Sequence, residues 1–321
     1  MKNKARLLRY LRLKRVALPS AQITTWRGQG LSNKTYLLDS GKEHFILRVY
    51  RDRSGKTIPK EMNMYQTLSE MGVPFARVYV ADVDGILLGR PFLLTQKLEG
   101  EKFSSLIKRG AGEDFVEALA SSLHRLHSVD PRILDLELPR RTFRDEVSDI
   151  KILAGMLLTL SIAPVSLYLV HKALSEISDI HGRGNRLALL HGDCDPSNVI
   201  YHDGFAYLID VEDAYIGDPA FNLGYAYRFV RFEAWPRPQL AENFINVYQN
   251  LHGKIASLEA YKKLAALKSA VSIRFLLGID ALSLLLVGFE KAGLIALRKY
   301  FSAFFNYCLT YAEKGKAELE I

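Results

Sequence analysis

The sequence predicts an α+β fold of two unequal lobes. Three observations carry this. Residues 21–97 read as short strands around a single helical segment, and almost everything after them is helix-like. The exception is one acid-rich stretch, "LLHGDCDPSNVIYHDGFAYLIDVEDAYIGDP" at 189–219, which reads as strands and tight loops inside the helical part. The expected parts are a basic segment over 1–20, a small antiparallel-sheet lobe over 21–97, and a mainly helical lobe over 98–321.

Within the first lobe, "KTYLLDSGKEHFILRVYR" gives two strands about Ser40-Gly41. "VYVADVDGILLGRPFLLTQKL" repeats the pattern, with Asp84-Gly85 as its turn. Between them Met62, Tyr65, Leu68 and Met71 recur at helical spacing, and Gly72 supplies a stop. The junction falls at Gln96–Gly100. Beyond it, Phe115, Leu119, Leu123 and Leu126 mark one face of a helix. "LALL" is a short buried strand, and "NVIYHDGFAYLID" is a hairpin across Asp203-Gly204.

Composition narrows the class. The chain has 321 residues, 49% of them apolar and 24% charged, as in ordinary globular proteins. Two cysteines, Cys194 and Cys308, are too few for a disulfide framework, so a reducing, cytoplasmic setting is expected. The first 60 residues hold 15 Lys and Arg against 3 Asp and Glu. A solvated basic helix ended by Pro19 is the expectation for 1–20; no aromatic platform accompanies it, which argues against a nucleic-acid partner. It lacks the apolar core of a signal peptide. The uncharged run 152–170 is read as two helices meeting near Ala163-Pro164, and "FLLGIDALSLLLVGF" as a buried helix, so no membrane span is expected.

The acid-rich stretch carries the chemistry. Carboxylates crowded together repel each other and need water or cations. Asp193 follows His191 by two residues at the end of a strand, Asn198 follows five later, and Asp210 closes the hairpin. A hairpin brings its ends together, so Asn198 and Asp210 face one site. An amide carbonyl and a carboxylate are hard oxygen ligands suited to Mg2+. Asp193 stays free to orient or deprotonate a nucleophile. Cations on a polyphosphate and a base on an acceptor hydroxyl are what phosphoryl transfer needs.

The order H-x-D-x-x-x-x-N followed by a later Asp matches the protein-kinase catalytic loop, with Asp210 at the metal-binding aspartate. "LLHGDCDPSN" and "YLIDVEDAYIGDP" resemble the signatures of the aminoglycoside phosphotransferase and choline kinase family, which has a protein-kinase-like bilobal fold. The resemblance covers about residues 21–225. It implies a kinase that uses ATP or GTP with Mg2+ and a small-molecule hydroxyl acceptor. "GQGLSNKTYLL" resembles the family's loose phosphate loop, with Gly30, Ser32 and Asn33 near the β- and γ-phosphates. "FILRVYR" places Arg48 where protein kinases carry Lys, with Glu61 as its helix partner. "TQKLEG" resembles the hinge, where the backbone of Gln96 and Leu98 would meet the base. The sequence departs from the pattern at Val211, where Trp is common, and at Asn222, where Asp is usual.

Blander readings stand beside these. Arg48–Glu61 can be a surface ion pair. Asp218 and His191 are read as braces, one an N-cap and the other holding the catalytic loop. His124-x-x-His127 has no paired ligands at metal spacing and is read as a packed helix face. Cys194 has no triad-like partner. Gly28-x-Gly30 does not lead from strand to helix, which excludes a dinucleotide fingerprint. Asp195, Glu212 and Asp213 form an acidic rim that would attract a cationic acceptor. Two other functions remain open: a nucleotide-binding regulatory module that contacts a partner through the basic segment, and a two-metal phosphohydrolase, which usually needs more His ligands. The acceptor and the oligomeric state are not encoded legibly.

Overall fold

A computed structural model of the chain describes residues 4–14, 16, 21–25, 33–41, 43–52, 54–134, 136–159, 174–175, 185–278 and 302–312. Its first part is a five-stranded antiparallel sheet in the order β1-β2-β3-β5-β4: β1 Gln22–Thr25, β2 Asn33–Asp39, β3 His44–Tyr50, β4 Val78–Asp82 and β5 Phe92–Gln96. Strand β3 is central. Its alternation puts Phe45 and Leu47 on one face, and Arg48 and Tyr50 on the other.

Each face meets a helix. Helix α2, Thr57–Glu70, lies on the Tyr50 side with Ile58, Glu61, Met64, Tyr65 and Leu68 buried. The predicted helix is there, and Gly72 stands just past its end with a positive φ of 77°. The opposite face carries α1, Lys4–Leu13. Leu7 and Leu11 are wholly buried against Leu38, Phe45, Leu47, Val80, Phe92 and Leu94. The sheet therefore carries two helices, not one. The basic segment is amphipathic and not a solvated rod; its Arg and Lys residues hide a leucine face that pays for its order.

The hairpin at Ser40-Gly41 is as expected, with the Glu43 N–H on the Ser40 hydroxyl. The β4–β5 connection is longer than the expected two-residue turn and spans residues 83–91. The Asp82 carboxylate accepts the N–H groups of Ile86 and Leu87 at 3.2 and 2.8 Å, which stabilises the wider loop.

The remainder is mainly helical: α3 Phe103–Lys108, α4 Gly112–Ser128, α5 Phe143–Thr159, α6 Pro219–Glu233, α7 Gln239–His252, α8 Leu258–Gly278 and α9 at 302–312. Phe115, Leu119, Leu123 and Leu126 of α4 are buried as the periodicity predicts. Helix α4 packs on α7, and α6 on α8. The meeting point near Ala163-Pro164 and most of the apolar run after Gly278 lie outside the described residues. Among the described residues no helix is long and apolar enough to cross a membrane.

Four short strands interrupt the helices: β6 Ala188–Leu190, β7 Val199–His202, β8 Phe205–Leu208 and β9 Tyr215–Gly217. β6 pairs with β9, and β7 with β8. Asp203 and Gly204 turn the β7–β8 hairpin with φ of 48° and 80°, the handedness such a two-residue turn needs. Glu101 and Tyr201 exchange two backbone hydrogen bonds of 2.9 Å, tying the segment after the sheet to this hairpin.

Candidate active site

The loop after β6 is set by His191 and Gly192. His191 is fully buried. Its Nε2–H donates to the Ile209 carbonyl at 3.0 Å, and its Nδ1 accepts the Asp193 N–H at 3.3 Å. Burial lowers its pKa and keeps the ring neutral, as this donor-and-acceptor role requires. Gly192 has φ of 87°, and a Cβ there would lie 2.1 Å from the Asp213 carbonyl oxygen. Only glycine lets the two loops approach this closely.

Asp193 is held from both sides. The Asn198 amide nitrogen donates to the Asp193 backbone carbonyl and to Oδ2, both at 2.9 Å. The Tyr225 hydroxyl donates to Oδ1 at 2.8 Å. Both amide hydrogens of Asn198 are thus used, so its carbonyl oxygen points away from Asp193. The Ile209 N–H donates to the Asn198 carbonyl at 3.0 Å, which fixes the loop beside the residue before Asp210.

Asp210 sits in the left-handed region at φ 67°, a conformation Asp tolerates better than most residues. Its N–H donates to the Tyr65 hydroxyl at 3.1 Å. Its carboxylate accepts from Arg48 Nη1 at 3.0 Å. The same nitrogen lies 3.3 Å from Glu61, which also accepts the Tyr50 hydroxyl at 2.9 Å. Glu61 is fully buried and Arg48 is 19% exposed, so this is an interior network and not a surface pair. Burial pushes Glu61 up to about 7, against the pull of Arg48 and Tyr50. Burial also disfavours the Arg48 cation, but Tyr65, Asp210 and Glu61 more than offset that and hold its pKa above the ordinary value.

The structure therefore brings Asp193 to Asn198, and Arg48 to Glu61 and Asp210. Gly30 and Ser32 lie outside the described residues. Asn33 starts β2, and its side-chain oxygen accepts the Arg51 N–H at 3.4 Å. Gln96 ends β5, and its N–H is already donated to the Arg77 carbonyl at 2.8 Å. Leu98 follows in the connection.

Three contributors escaped the sequence reading. Tyr225 touches Asp193 from α6. Tyr65 touches Asp210, and its one-turn spacing from Glu61 on α2 was the available signal. Lys60 donates to the Glu212 and Ala214 carbonyls, both at 2.9 Å, and so joins α2 to the loop after Asp210.

Asp218 caps α6 through the Ala220 N–H at 2.9 Å and also accepts from Asn185 and Tyr261, as a brace should. Asn222 is explained by His127. The amide and the His127 ring are 3.1 Å apart, and Tyr248 meets the other ring nitrogen at 2.7 Å. Burial pushes His127 down to about 3, so a neutral amide suits it better than a carboxylate. Val211 is fully buried as a core side chain. Cys194 is buried with its thiol on the Asn222 carbonyl, and burial raises its pKa, which makes it inert. Asp195, Glu212 and Asp213 all have raised pKa values, first from burial and then from neighbouring carboxylates.

Among the described residues no three His, Cys, Asp or Glu side chains converge as a metal cage. Asn198 carries an amide oxygen and Asp210 a carboxylate, the hard donor types that Mg2+ accepts, an ion that takes most of its ligands from water and phosphate.

The sequence model of the phosphotransferase enzyme family matches residues 25–265. The chain belongs to this family. Its fold matches solved phosphotransferases over nearly the whole chain. The GDP and kanamycin complex of APH(2″)-IIIa superposes with a TM-score of 0.68 at 13% identity, covering 98% of this chain and all of that one. Macrolide 2′-phosphotransferase MphH from Brachybacterium faecium gives 0.62 at 15%, covering 97% and 99%. At these identities the likeness concerns the fold, a protein-kinase-like one. The chain is also 25% identical over 293 residues to acyl-CoA dehydrogenase family member 11 of Pongo abelii, covering 78% of this chain and 36% of that protein. The chain thus spans about a third of that relative's length.

Proposed function

We propose that the protein transfers the γ-phosphate of ATP or GTP to a hydroxyl of a small molecule, with Asp193 as the base. The observation that carries this is the Asp193 carboxylate held by Asn198 and Tyr225, with Asp210 fixed by Arg48. In this reading, residues 21–97 hold the nucleotide and 98–321 hold the acceptor. The Gln96 carbonyl and the Leu98 N–H meet the purine edge. Gly30, Ser32 and Asn33 belong to the loop over the phosphates, and Arg48, steadied by Glu61, draws on them.

Asn198 and Asp210 would hold Mg2+, which when bound neutralises the charge on the phosphates. Asp193 orients the acceptor hydroxyl and takes its proton as the oxygen attacks the γ-phosphorus; the bond to the β-phosphate oxygen breaks, and the nucleoside diphosphate leaves. Tyr65, Lys60 and His191 keep the two loops in register.

The experiment is turnover of MgATP and MgGTP over a panel of kanamycin, erythromycin, choline and homoserine. The wild-type protein phosphorylates at least one acceptor. Asp193→Asn lowers kcat by on the order of a thousandfold while nucleotide affinity persists. An Asp193→Asn protein that turns over at the wild-type rate removes Asp193 from the role of base.

A further inference from the structure

Tyr225 and Arg228 lie on one turn of α6, behind the catalytic loop. Arg228 is 1% exposed. Among the described residues it forms no ion pair with a carboxylate, and its buried Nε has no hydrogen-bond partner. A guanidinium buried in this way is costly and calls for a reason. Its carbon lies 3.6 Å from the centre of the Tyr225 ring, 4.3 Å from that of Phe229 and 5.8 Å from that of Phe304. Its Nη1 donates to the Tyr225 carbonyl at 3.1 Å. The cation thus holds the tyrosine by its ring and its backbone at once, and leaves the hydroxyl directed at Asp193.

A carboxylate held by one donor can still swing about its last torsion. Asp193 is held by two, Asn198 on one oxygen and Tyr225 on the other. Each oxygen has two acceptor positions, so Oδ1 keeps one for an incoming hydroxyl while Tyr225 fills the second. We propose that Tyr225 is a positioning residue whose hydroxyl, backed by the Arg228 cation, locks the Asp193 carboxylate in the orientation that receives the acceptor's proton. This rests on the reading of Asp193 as base. A positive charge over the ring withdraws density from the phenol and makes its O–H a stronger donor. The same charge counteracts the mutual repulsion of Asp193 and Asp195. Arg228 covers one face of the ring, so that face is not open to a cationic acceptor.

Tyr225→Phe removes the hydroxyl and keeps the ring. The test measures steady-state phosphate transfer from MgATP to water and to the same four acceptors. The expected result is a kcat lower by about tenfold, with KM for MgATP within about twofold and Tm within about 2 °C of wild type. Arg228→Met lowers kcat in the same direction, and Arg228→Lys, which keeps the charge, restores part of it. A Tyr225→Phe protein with wild-type kcat overturns the inference. So does one whose KM and Tm move in step with kcat, because the tyrosine is then merely structural. Asp193→Asn, measured alongside, separates two failures. If it is dead while Tyr225→Phe is fully active, only the inference falls. If it is fully active, the base assignment falls and the inference with it.

Discussion

Arg48 Nη1 lies 3.0 Å from the Asp210 carboxylate and, on its other side, 3.3 Å from buried Glu61. One guanidinium nitrogen from the central strand of the sheet thus joins α2 to the loop after the β7–β8 hairpin. Both contacts fall on one nitrogen of a rigid, planar guanidinium. A lysine offers one compact charge on a flexible stem and does not reproduce it. Arg48→Lys is expected to lower kcat/KM for the nucleotide by about tenfold or more, with little change in the KM of the acceptor. Steady-state kinetics with each substrate varied in turn checks this.

Glu61 gives a pH prediction. Its pKa in the folded protein is about 7, against an ordinary 4.5, because burial disfavours its charge. A raised folded value means that the folded state binds the proton more tightly. The associated stability is fully present below 4.5 and is lost as pH rises through 7. Glu61→Gln has no such proton to lose. The stability of Glu61→Gln relative to wild type should therefore improve between pH 5 and pH 8, as measured by denaturant unfolding at both values. A constant difference would show that Glu61 is charged throughout.

His127 gives the opposite slope. Its pKa falls from 6.5 to about 3 on folding, first because of burial. The unfolded chain then binds a proton that the folded chain refuses, so wild-type stability is lost as pH falls from 6.5 toward 3. Asn222→Asp places a carboxylate where the amide lies 3.1 Å from the ring and lets the imidazole take the proton. The acid-side loss should flatten in that variant. Unfolding midpoints at pH 5 and pH 7.5 test this, and an NMR titration of His127 reads the shift directly.

Lys60 supports the loop after Asp210 without touching any proposed ligand. Lys60→Met keeps the stem and removes both bonds to the Glu212 and Ala214 carbonyls. The expected cost is on the order of 2 kcal/mol, read as a Tm lower by roughly 4–8 °C. Hydrogen exchange should rise in residues 211–214 and leave α4 unchanged.

The parts of the fold that were readable obey local rules. The β7–β8 hairpin follows from Asp203-Gly204, α2 from its apolar period and Gly72, and α4 from four residues on one face. The contact between Asp193 and Asn198 was readable because both lie on the loop that follows a short buried strand. What stayed hidden depends on contacts distant in sequence. Asp82 reaches forward to cap a loop, which turned an expected tight turn into a wide one. Tyr225 meets Asp193 across 32 positions and Lys60 meets Glu212 across 152, and no periodicity reports such pairs. In α1 the spacing of four between Leu7 and Leu11 marks the buried face, beneath a surface of basic residues.

Those two leucines set a practical limit on trimming the chain. A version beginning at residue 21 keeps every residue proposed for catalysis. It also bares Leu38, Phe45, Leu47, Phe92 and Leu94 as one greasy strip on an antiparallel sheet. Such a strip invites self-association. Poor recovery of that shortened protein would report an uncovered flank and not a damaged catalytic centre.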